Sequence, residues 1–213
     1  LLPRGAVGGI GEPGAVGAGQ HHADAVDYDP VQLAVGQRCV LDDRRPFARI
    51  QPAAGLVGAF VQAVSGGSLY RKASFLEGCL GQSAMAGHLD LHEFPHVRKG
   101  KGSAPFDDEG VTTRARRVVD GGVVQGYFLS SYSARKLGMK TTGNAGGAHN
   151  LTLSSRLTQQ GDDLDAMLRK LHRGLFVIEL IGQGVNGVTG DYSRGAAGFW
   201  VEAGRMVHPV HEI

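Results

Sequence analysis

The sequence predicts an α+β fold in which a mostly antiparallel, glycine-rich β-sheet core carries several short helices. The chain of 213 residues contains 34 glycines, which indicates many tight turns and close backbone approaches rather than long helices. Hydrophobic residues make up 42% of the chain and charged residues 20%, so we expect a folded core. After residue 50, stretches with helical and with strand-like hydrophobic spacing follow one another, as in a fold of separate helices and hairpins.

The first 50 residues differ from the rest of the chain. Glycines and prolines are scattered through them without sustained periodicity, so we predict that residues 1–50 are an atypical segment, poorly ordered or unlike a known family. Gly9–Gly14 matches the dinucleotide-binding pattern G-x-G-x-x-G, which needs a strand before it and a helix after it. Pro13 interrupts the start of that helix, and a flexible linker is the better interpretation.

The helices are predicted from hydrophobic spacing and from capping residues. Leu56, Phe60 and Val64 recur at helical spacing after Pro52, and two glycines from Gly66 onward end this first helix. Serines precede a later short helix, and another has aspartates at its start and basic residues near its end. These further helices are SLYRKASFLEGCL (residues 68–80), SSYSARKLG (residues 130–138) and DDLDAMLRKLHRG (residues 162–174).

The strands are predicted from alternating or continuous apolar runs between glycine-containing turns. Residues 86–93 alternate leucines with polar residues, which is typical of a half-buried strand. Two β-rich runs around Asp120-Gly121-Gly122 predict an antiparallel hairpin. The remaining predictions are hairpin arms at 112–119 and 123–129, strands at 151–154 and 174–181, a dense loop at 182–187, and a closing hairpin over 196–210 that turns near Ala203.

Composition excludes several classes of function. The formal net charge is +2, so neither bulk nucleic acid nor an anionic membrane is an expected partner. Cys39 and Cys79 have no pairing pattern and suit a reducing compartment, which predicts a cytoplasmic location. The sequence has no apolar run long enough to span a membrane, and LLPRGAVGG does not have the pattern of a secretory signal.

HEFPH, residues 92–96, matches the H-E-x-x-H signature of zinc peptidases. That signature functions on a helix, where two histidines four residues apart bind one zinc ion and the glutamate activates water. Pro95 between the histidines is incompatible with a helix interior, and the alternation of Leu89 and Leu91 with polar residues indicates a strand instead. The alternative to a solvated strand face is a metal site formed by His88, Asp90 and His92.

Two charged stretches can each be interpreted as solvated surface or as a functional site. Asp107–Glu109 contains three consecutive acidic residues, which either face water in a loop or bind a cation. Arg114, Arg116 and Arg117 form either a solvated strand face or a small basic patch. The sequence has no G-x-S-x-G nucleophile motif, so no catalytic residue is predicted.

Four longer segments have a family resemblance: SGGSLYRKASFL, GSAPFDDEGV, QGYFLSSYSARKLGMKTTGNAGGAHNL and GQGVNGVTGDYSRGAAGFWVEAG. They closely resemble the PmbA (TldE) branch of the TldD/PmbA family, also called the modulator of DNA gyrase family. The resemblance covers about residues 53–213 and only the C-terminal region of the family. We therefore expect one domain over residues 51–213 that is incomplete at its C-terminus. A truncated, divergent or out-of-frame start is the hypothesis for residues 1–50.

The resemblance implies a subunit of a cytoplasmic TldD/TldE zinc metallopeptidase that acts on peptides. In such a heterodimer the zinc is held by the TldD-like partner, through an H-E-x-x-x-H helix and a later cysteine. The corresponding segment here is GLVGAFVQAVSGG, which has Phe60, Val61 and Ser65 and no histidine. No metal ligand or cofactor is therefore expected in this chain, and zinc is expected in the partner.

The implied role of this subunit is to hold an unfolded peptide, which is added to a sheet as a strand. Glycine-rich loops allow a peptide backbone to approach closely, and their polar groups supply hydrogen bonds. Self-association is left open as a further contact. The predicted peptide-binding residues are Asn144, Gly146 and Gly147 in a first loop, and Asn186, Thr189, Asp191, Tyr192, Ser193 and Arg194 in a second.

Two other functions remain open at this point. One is an interaction protein that modulates DNA gyrase, as the family's alternative name implies. The other is an independent zinc hydrolase that uses the histidines of the HEFPH region, His88, His92 and His96.

Overall fold

The computed structural model describes residues 51–213, and the predictions for residues 1–50 and for Cys39 lie outside these residues. The α+β class with antiparallel sheets and short helices is confirmed. The helices are α1 (Gln51–Ala63), α2 (Gly66–Tyr70), α3 (Ser131–Lys136) and α4 (Leu164–Leu171). The strands are β1 (Leu89–Phe94), β2 (Arg116–Asp120), β3 (Val123–Val124), β4 (Asn150–Ser155), β5 (Gly174–Val185), β6 (Tyr192–Glu202) and β7 (Arg205–Val210).

The first sheet has four strands in the order β3-β2-β1-β4, and all neighbouring pairs are antiparallel. β1 lies in the middle, with Leu89 and Leu91 fully buried, because alternate residues of a strand point to the same face. Phe60 and Val64 near the end of α1 pack on this apolar face. The strand predicted at 86–93 is thus confirmed, with a start three residues later.

The hairpin at Asp120-Gly121-Gly122 is present, but both arms are shorter than predicted. β3 ends at Val124, and the chain then leaves the sheet to pair with the segment between α1 and α2. There the Phe128 N–H donates to the Val64 carbonyl at 3.0 Å, and the Gly66 N–H donates to the Phe128 carbonyl at 2.8 Å. These long-range hydrogen bonds take residues 126–129 out of the hairpin, whereas the Gln125 N–H still donates to the Val118 carbonyl at 2.8 Å.

The helix bounds agree with the sequence where a cap sets them. Ser130 forms a capping box with Ser133 at the start of α3, and Asp163 caps α4, as such residues do at helix starts. The second helix is much shorter than predicted, because the chain turns after Tyr70 and Lys72 has a φ of 56°. In the described part of the chain, none of the helices is long and apolar enough to cross a bilayer.

The second sheet contains β5, β6 and β7 in sequence order, all antiparallel. β5 continues to Val185 and β6 starts at Tyr192, so the dense loop predicted over 182–187 is mostly strand. Glycine makes the close pairing possible, since a Cβ at Gly198 would overlap the carbonyl oxygen of Phe176. The predicted turn near Ala203 is confirmed between β6 and β7.

Candidate functional site

Helix α1 borders two concave surfaces. The larger is an open groove of about 320 Å³, here called the polar groove, to which α1 contributes Val61 and Gln62. Gly66 and Gly67 at the start of α2 and a loop before β4 complete it. The polar groove is lined by Val61, Gln62, Ser65, Gly66, Gly67, Tyr70, Phe128, Ser130, Tyr132, Ser133 and residues 144–148.

The second surface is a smaller depression of about 170 Å³, here called the apolar cavity. α1 contributes Val57 and Phe60 to it, and the turn between β5 and β6 lies on its rim. Because 3.6 residues make one helical turn, Val57 lies one turn before Val61 on the same side of α1, whereas Leu56 and Ala59 point away from Val61. The two surfaces therefore border adjoining sides of the helix. The apolar cavity is lined by Leu56, Val57, Ala59, Phe60, Phe75, Ala84, Met85, Leu153, Val185, Asn186, Gly187, Gly190, Asp191 and Tyr192.

The structure does not bring the two predicted peptide-binding loops together. The first loop lines the polar groove, and the second borders the apolar cavity. The predicted residues in the polar groove are Asn144, Gly146 and Gly147. Those at the apolar cavity are Asn186, Asp191 and Tyr192, whereas Thr189, Ser193 and Arg194 line neither surface.

A buried polar network lies beneath the polar groove, with the carboxylate of Glu93 at its centre. Glu93 is 1% exposed. Arg116 Nε donates to Glu93 Oε2 at 2.7 Å, and Asn144 Nδ2 donates to Oε1 at 2.7 Å. The backbone N–H of His149 donates to Oε1 at 2.9 Å. Since Nδ1 of His149 lies 2.9 Å from the same oxygen, we assign the ring proton to this nitrogen.

The network favours the ionised form of Glu93. Burial raises the pKa of Glu93, but the His149 N–H and the charge and hydrogen bond of Arg116 outweigh it, so this pKa lies below its ordinary value of 4.5. Arg116 is also fixed by the Tyr127 carbonyl at 2.9 Å and by the Phe128 ring, whose centroid lies 4.8 Å from the guanidinium carbon. The predicted solvated face is therefore wrong for Arg116, which is part of a buried ion pair.

The side chain of Asn144 belongs to this network. It is 5% exposed, and its Oδ1 accepts hydrogen bonds from Arg116 Nη2 at 3.1 Å and from Thr142 Oγ1 at 2.7 Å. Besides Glu93, its Nδ2 also donates to the Gly147 carbonyl at 3.1 Å. Asn144 thus shapes the loop from inside, and peptide contact by its side chain stays a prediction.

Asp107 holds the same loop from another direction. Its Oδ2 accepts the N–H of Ala145 at 3.0 Å, and its Oδ1 accepts the N–H groups of Glu109 and Val111 at 3.0 and 2.9 Å. Burial raises the pKa of Asp107, but these three N–H groups outweigh burial and lower it. The carboxylate is thus used as a loop anchor, which supports neither the solvated nor the cation-binding interpretation of its acidic stretch.

Gly146 occupies a position where a side chain would be both strained and in steric conflict. Its φ is 94°, a backbone conformation that favours glycine, and an added Cβ would overlap the carboxylate of Asp108. The loop therefore presents a backbone surface to the polar groove.

The second loop is a tight turn whose polar groups bind one another. Asn186 Oδ1 accepts the N–H groups of Val188 and Thr189 at 3.0 and 3.4 Å. Thr189 Oγ1 donates to Asp191 Oδ2 at 2.5 Å, and the Asn186 N–H donates to the Asp191 carbonyl at 2.8 Å. These contacts are those of an Asx-type turn. Tyr192 to Arg194 belong to strand β6 rather than to a loop.

The HEFPH segment has the wrong geometry for a zinc peptidase. His92 and Glu93 are neighbours on strand β1 and point to opposite faces, and the Glu93 carboxylate is engaged by Arg116. His96 Nε2 lies 3.0 Å from Thr113 Oγ1. Asp90, on the polar face, accepts hydrogen bonds from Arg156. Within residues 51–213 there is no group of three or more metal-binding side chains close enough to hold an ion.

Sequence reasoning missed Glu93, Arg116 and Asp107 as residues that build the polar groove. A signal for Glu93 was present, since the alternation that buries Leu89 and Leu91 also places Glu93 on the apolar face. A carboxylate at such a position needs charged or N–H partners. No local pattern marks those partners, because Asn144 and His149 lie 51 and 56 residues away in the chain.

Comparison with known proteins identifies relatives of the described region. The family model for the PmbA/TldA metallopeptidase C-terminal domain matches residues 50–213. The metalloprotease PmbA of Escherichia coli O157:H7 is 51% identical over 161 residues, which cover 76% of this chain and 35% of that protein. A PmbA homolog of Haemophilus influenzae is 50% identical over 205 residues, 88% of this chain and 44% of that protein. The chain thus spans less than half the length of these relatives.

A solved structure supports the same fold. A candidate modulator of DNA gyrase from Bacteroides thetaiotaomicron superimposes with a TM-score of 0.67 and 31% sequence identity. The superposition covers 76% of this chain and 36% of that protein.

Proposed function

The chain belongs to the PmbA/TldD family of metallopeptidases, and on this premise we propose that it is a PmbA/TldE-like subunit that holds peptide for a zinc centre on a TldD-like partner. The proposal includes a cytoplasmic location and an unfolded peptide as substrate. One observation carries it: this chain has Phe60 and Val61 on α1 and Ser65 before α2 at the positions where the resemblance implies metal ligands in the partner. None of these side chains is an imidazole, thiolate or carboxylate of the kind that binds zinc.

The polar groove supports a role in holding backbone rather than in catalysis. Within residues 51–213, the N–H groups of Gly146 and Ala148 make no hydrogen bond, and the loop that carries them is fixed from below by Glu93 and Asp107. Fixed N–H groups without partners bind carbonyl oxygens of an extended chain at low entropic cost. Next to this loop, β4 is an edge strand of the first sheet, which suits the addition of a peptide strand.

The test combines the full chain with a TldD-like partner, a leader peptide and zinc. Cleavage is expected from the mixture, no cleavage from the chain alone, and one zinc per pair by metal analysis of the purified complex. The partner alone is the control for its own activity. Zinc-dependent cleavage by this chain without a partner would overturn the proposal.

A second candidate function is the modulation of DNA gyrase. It rests on the description of the B. thetaiotaomicron structure, whose fold this chain shares. Binding of the full chain to gyrase in the absence of any TldD-like protein would favour this function. If gyrase is retained only when the partner is present, the peptidase assembly is the better account.

A further inference from the structure

We propose that the apolar cavity is a subsite for one large apolar side chain, of leucine, methionine or phenylalanine, in the peptide that this subunit holds. The inference rests on the proposed function and adds a preference that the polar groove alone does not supply. The residues that would select the peptide side chain belong to α1, to the edge of the first sheet and to the turn between β5 and β6.

The size of the cavity admits one side chain. Its volume is about 170 Å³, and an apolar cavity of about 150 Å³ in another protein takes up one benzene molecule. Leu56, Val57 and Phe60 of α1 line one part of it, and Phe75 and Met85 line another. Such walls make close contact with a branched aliphatic or aromatic group and leave most of the space empty around an alanine side chain.

Polar groups on the rim are few, and those of Asn186 and Asp191 are partly used within the turn. Asn186 Oδ1 accepts the Val188 and Thr189 N–H groups, and the carboxylate of Asp191 accepts the hydroxyl of Thr189. A charged or amide side chain entering the cavity would lose water and find polar partners only at the exposed rim, in Asp191 and Tyr192, which is costly. The cavity therefore selects for apolar side chains and against polar ones.

The position of Leu153 connects the cavity to a peptide backbone. Leu153 lines the cavity and belongs to β4, which pairs with β1 on one side and is an edge strand. A segment lying along β4 would point alternate side chains to the same face as Leu153. Ala148, in the polar groove, precedes Leu153 by five positions, so about 16 Å of extended chain separates the two. A peptide of about six residues reaches both surfaces.

The test measures binding of fluorescent ten-residue peptides to the full chain by anisotropy. The peptides have a Gly/Ser background with one central leucine, phenylalanine, alanine, lysine or aspartate. The leucine and phenylalanine peptides are expected to bind about tenfold more tightly than the alanine peptide, and the lysine and aspartate peptides no better than alanine.

Variants of α1 separate the cavity from the rest of the surface. Ala59→Leu fills the cavity and is expected to remove the preference for leucine and phenylalanine. Ala54→Leu adds the same group at an exposed position of the same helix and is expected to retain it. Val57→Ala enlarges the cavity and is expected to shift the preference from leucine toward phenylalanine, which keeps the test decisive if Ala59→Leu does not fold.

The outcomes distinguish this inference from the proposed function. If all peptides bind equally, or if Ala59→Leu keeps the preference, the subsite is wrong while peptide holding stands. If Ala59→Leu changes the oligomeric state and leaves the preference intact, the cavity is a contact between copies and the inference is wrong. If no peptide binds to any form of the chain, the proposed function fails together with the subsite.

Discussion

Among single residues, Glu93 is expected to contribute most to the stability of the polar groove. In Glu93→Gln the charge is lost, Arg116 becomes a half-buried cation without its carboxylate, and an NH₂ group faces donors from Asn144 and His149. We expect the free energy of unfolding to fall by about 2–4 kcal/mol, as when one partner of a buried pair is removed. Urea denaturation followed by circular dichroism measures this difference.

Glu179→Gln is the matched control for this substitution, because Glu179 is an exposed glutamate on β5. Its free energy of unfolding is expected to change by no more than about 0.5 kcal/mol. A loss of the same size in both variants would show that the buried network contributes nothing specific.

The pKa of Glu93 predicts how stability depends on pH. Because its folded-state pKa lies below the ordinary value of 4.5, its stabilising contribution is complete above that value and is lost as the pH falls through the folded-state pKa. The wild-type chain should therefore lose stability from about pH 5 downward. Glu93→Gln should lose less over that range, when thermal unfolding is followed at a series of pH values. Parallel curves for the two proteins would contradict the assignment of a buried carboxylate.

Glu93 also shows what a short motif can and cannot predict. The proline in HEFPH and the alternating leucines were sufficient to predict a strand instead of a zinc-binding helix. The actual role of the glutamate depends on Arg116 in β2 and on Asn144 and His149 in the loop before β4, two segments that folding brings to it. Spacing along the chain contains no information about such contacts.

At the scale of elements, the sequence predicted helices well where local residues set their limits. Pro52 in the first turn of α1, Ser130 before α3 and Asp163 before α4 act within one turn of the helix they start. The predicted lengths of α2 and β3 were wrong, because α2 ends where the chain turns after Tyr70 and β3 ends before residues that pair elsewhere. Phe128 pairs with Ser65, between α1 and α2, instead of continuing the hairpin.

Two glycines in the first two helices are expected to respond in opposite ways to alanine. Gly58 lies on α1 and a Cβ there would meet nothing within 4 Å, so Gly58→Ala should stabilise the chain by about 0.5–1 kcal/mol. Gly66 starts α2, and a Cβ there would overlap the buried side chain of Ser133, so Gly66→Ala should destabilise it by about 1–3 kcal/mol. Thermal unfolding of both variants checks the contrast. The same sign for both would mean that α2 and α3 do not pack as described.

At the scale of the whole molecule, the family resemblance identified loops that border the polar groove and the apolar cavity. It did not show how these loops are arranged in space. The residues of the first loop line the polar groove, and Asn186, Asp191 and Tyr192 border the apolar cavity. That the two loops border separate surfaces depends on how α1 packs between the first sheet and β5. This packing is a long-range property, so the resemblance could suggest candidate residues without showing that they line two separate surfaces.

The two sheets are expected to differ in local stability. β1 is paired on both sides and contains Leu89, Leu91 and Glu93, all at most 1% exposed, whereas β7 is an edge strand with exposed residues from 205 to 209. Amide hydrogens open to solvent most easily where few buried contacts hold them. Hydrogen exchange measured by mass spectrometry should therefore be at least about tenfold slower in β1 than in β7.

Strand β2 provides the internal control for this comparison, because Val118 and Val119 are fully buried in the same sheet as β1. It is expected to exchange as slowly as β1 in the same sample. If β7 were protected to the same degree as β1 and β2 in the isolated chain, its exposed edge would have to be covered by another copy of the chain. Dilution would then restore fast exchange in β7 and leave β1 unchanged, since only the contact between copies depends on concentration.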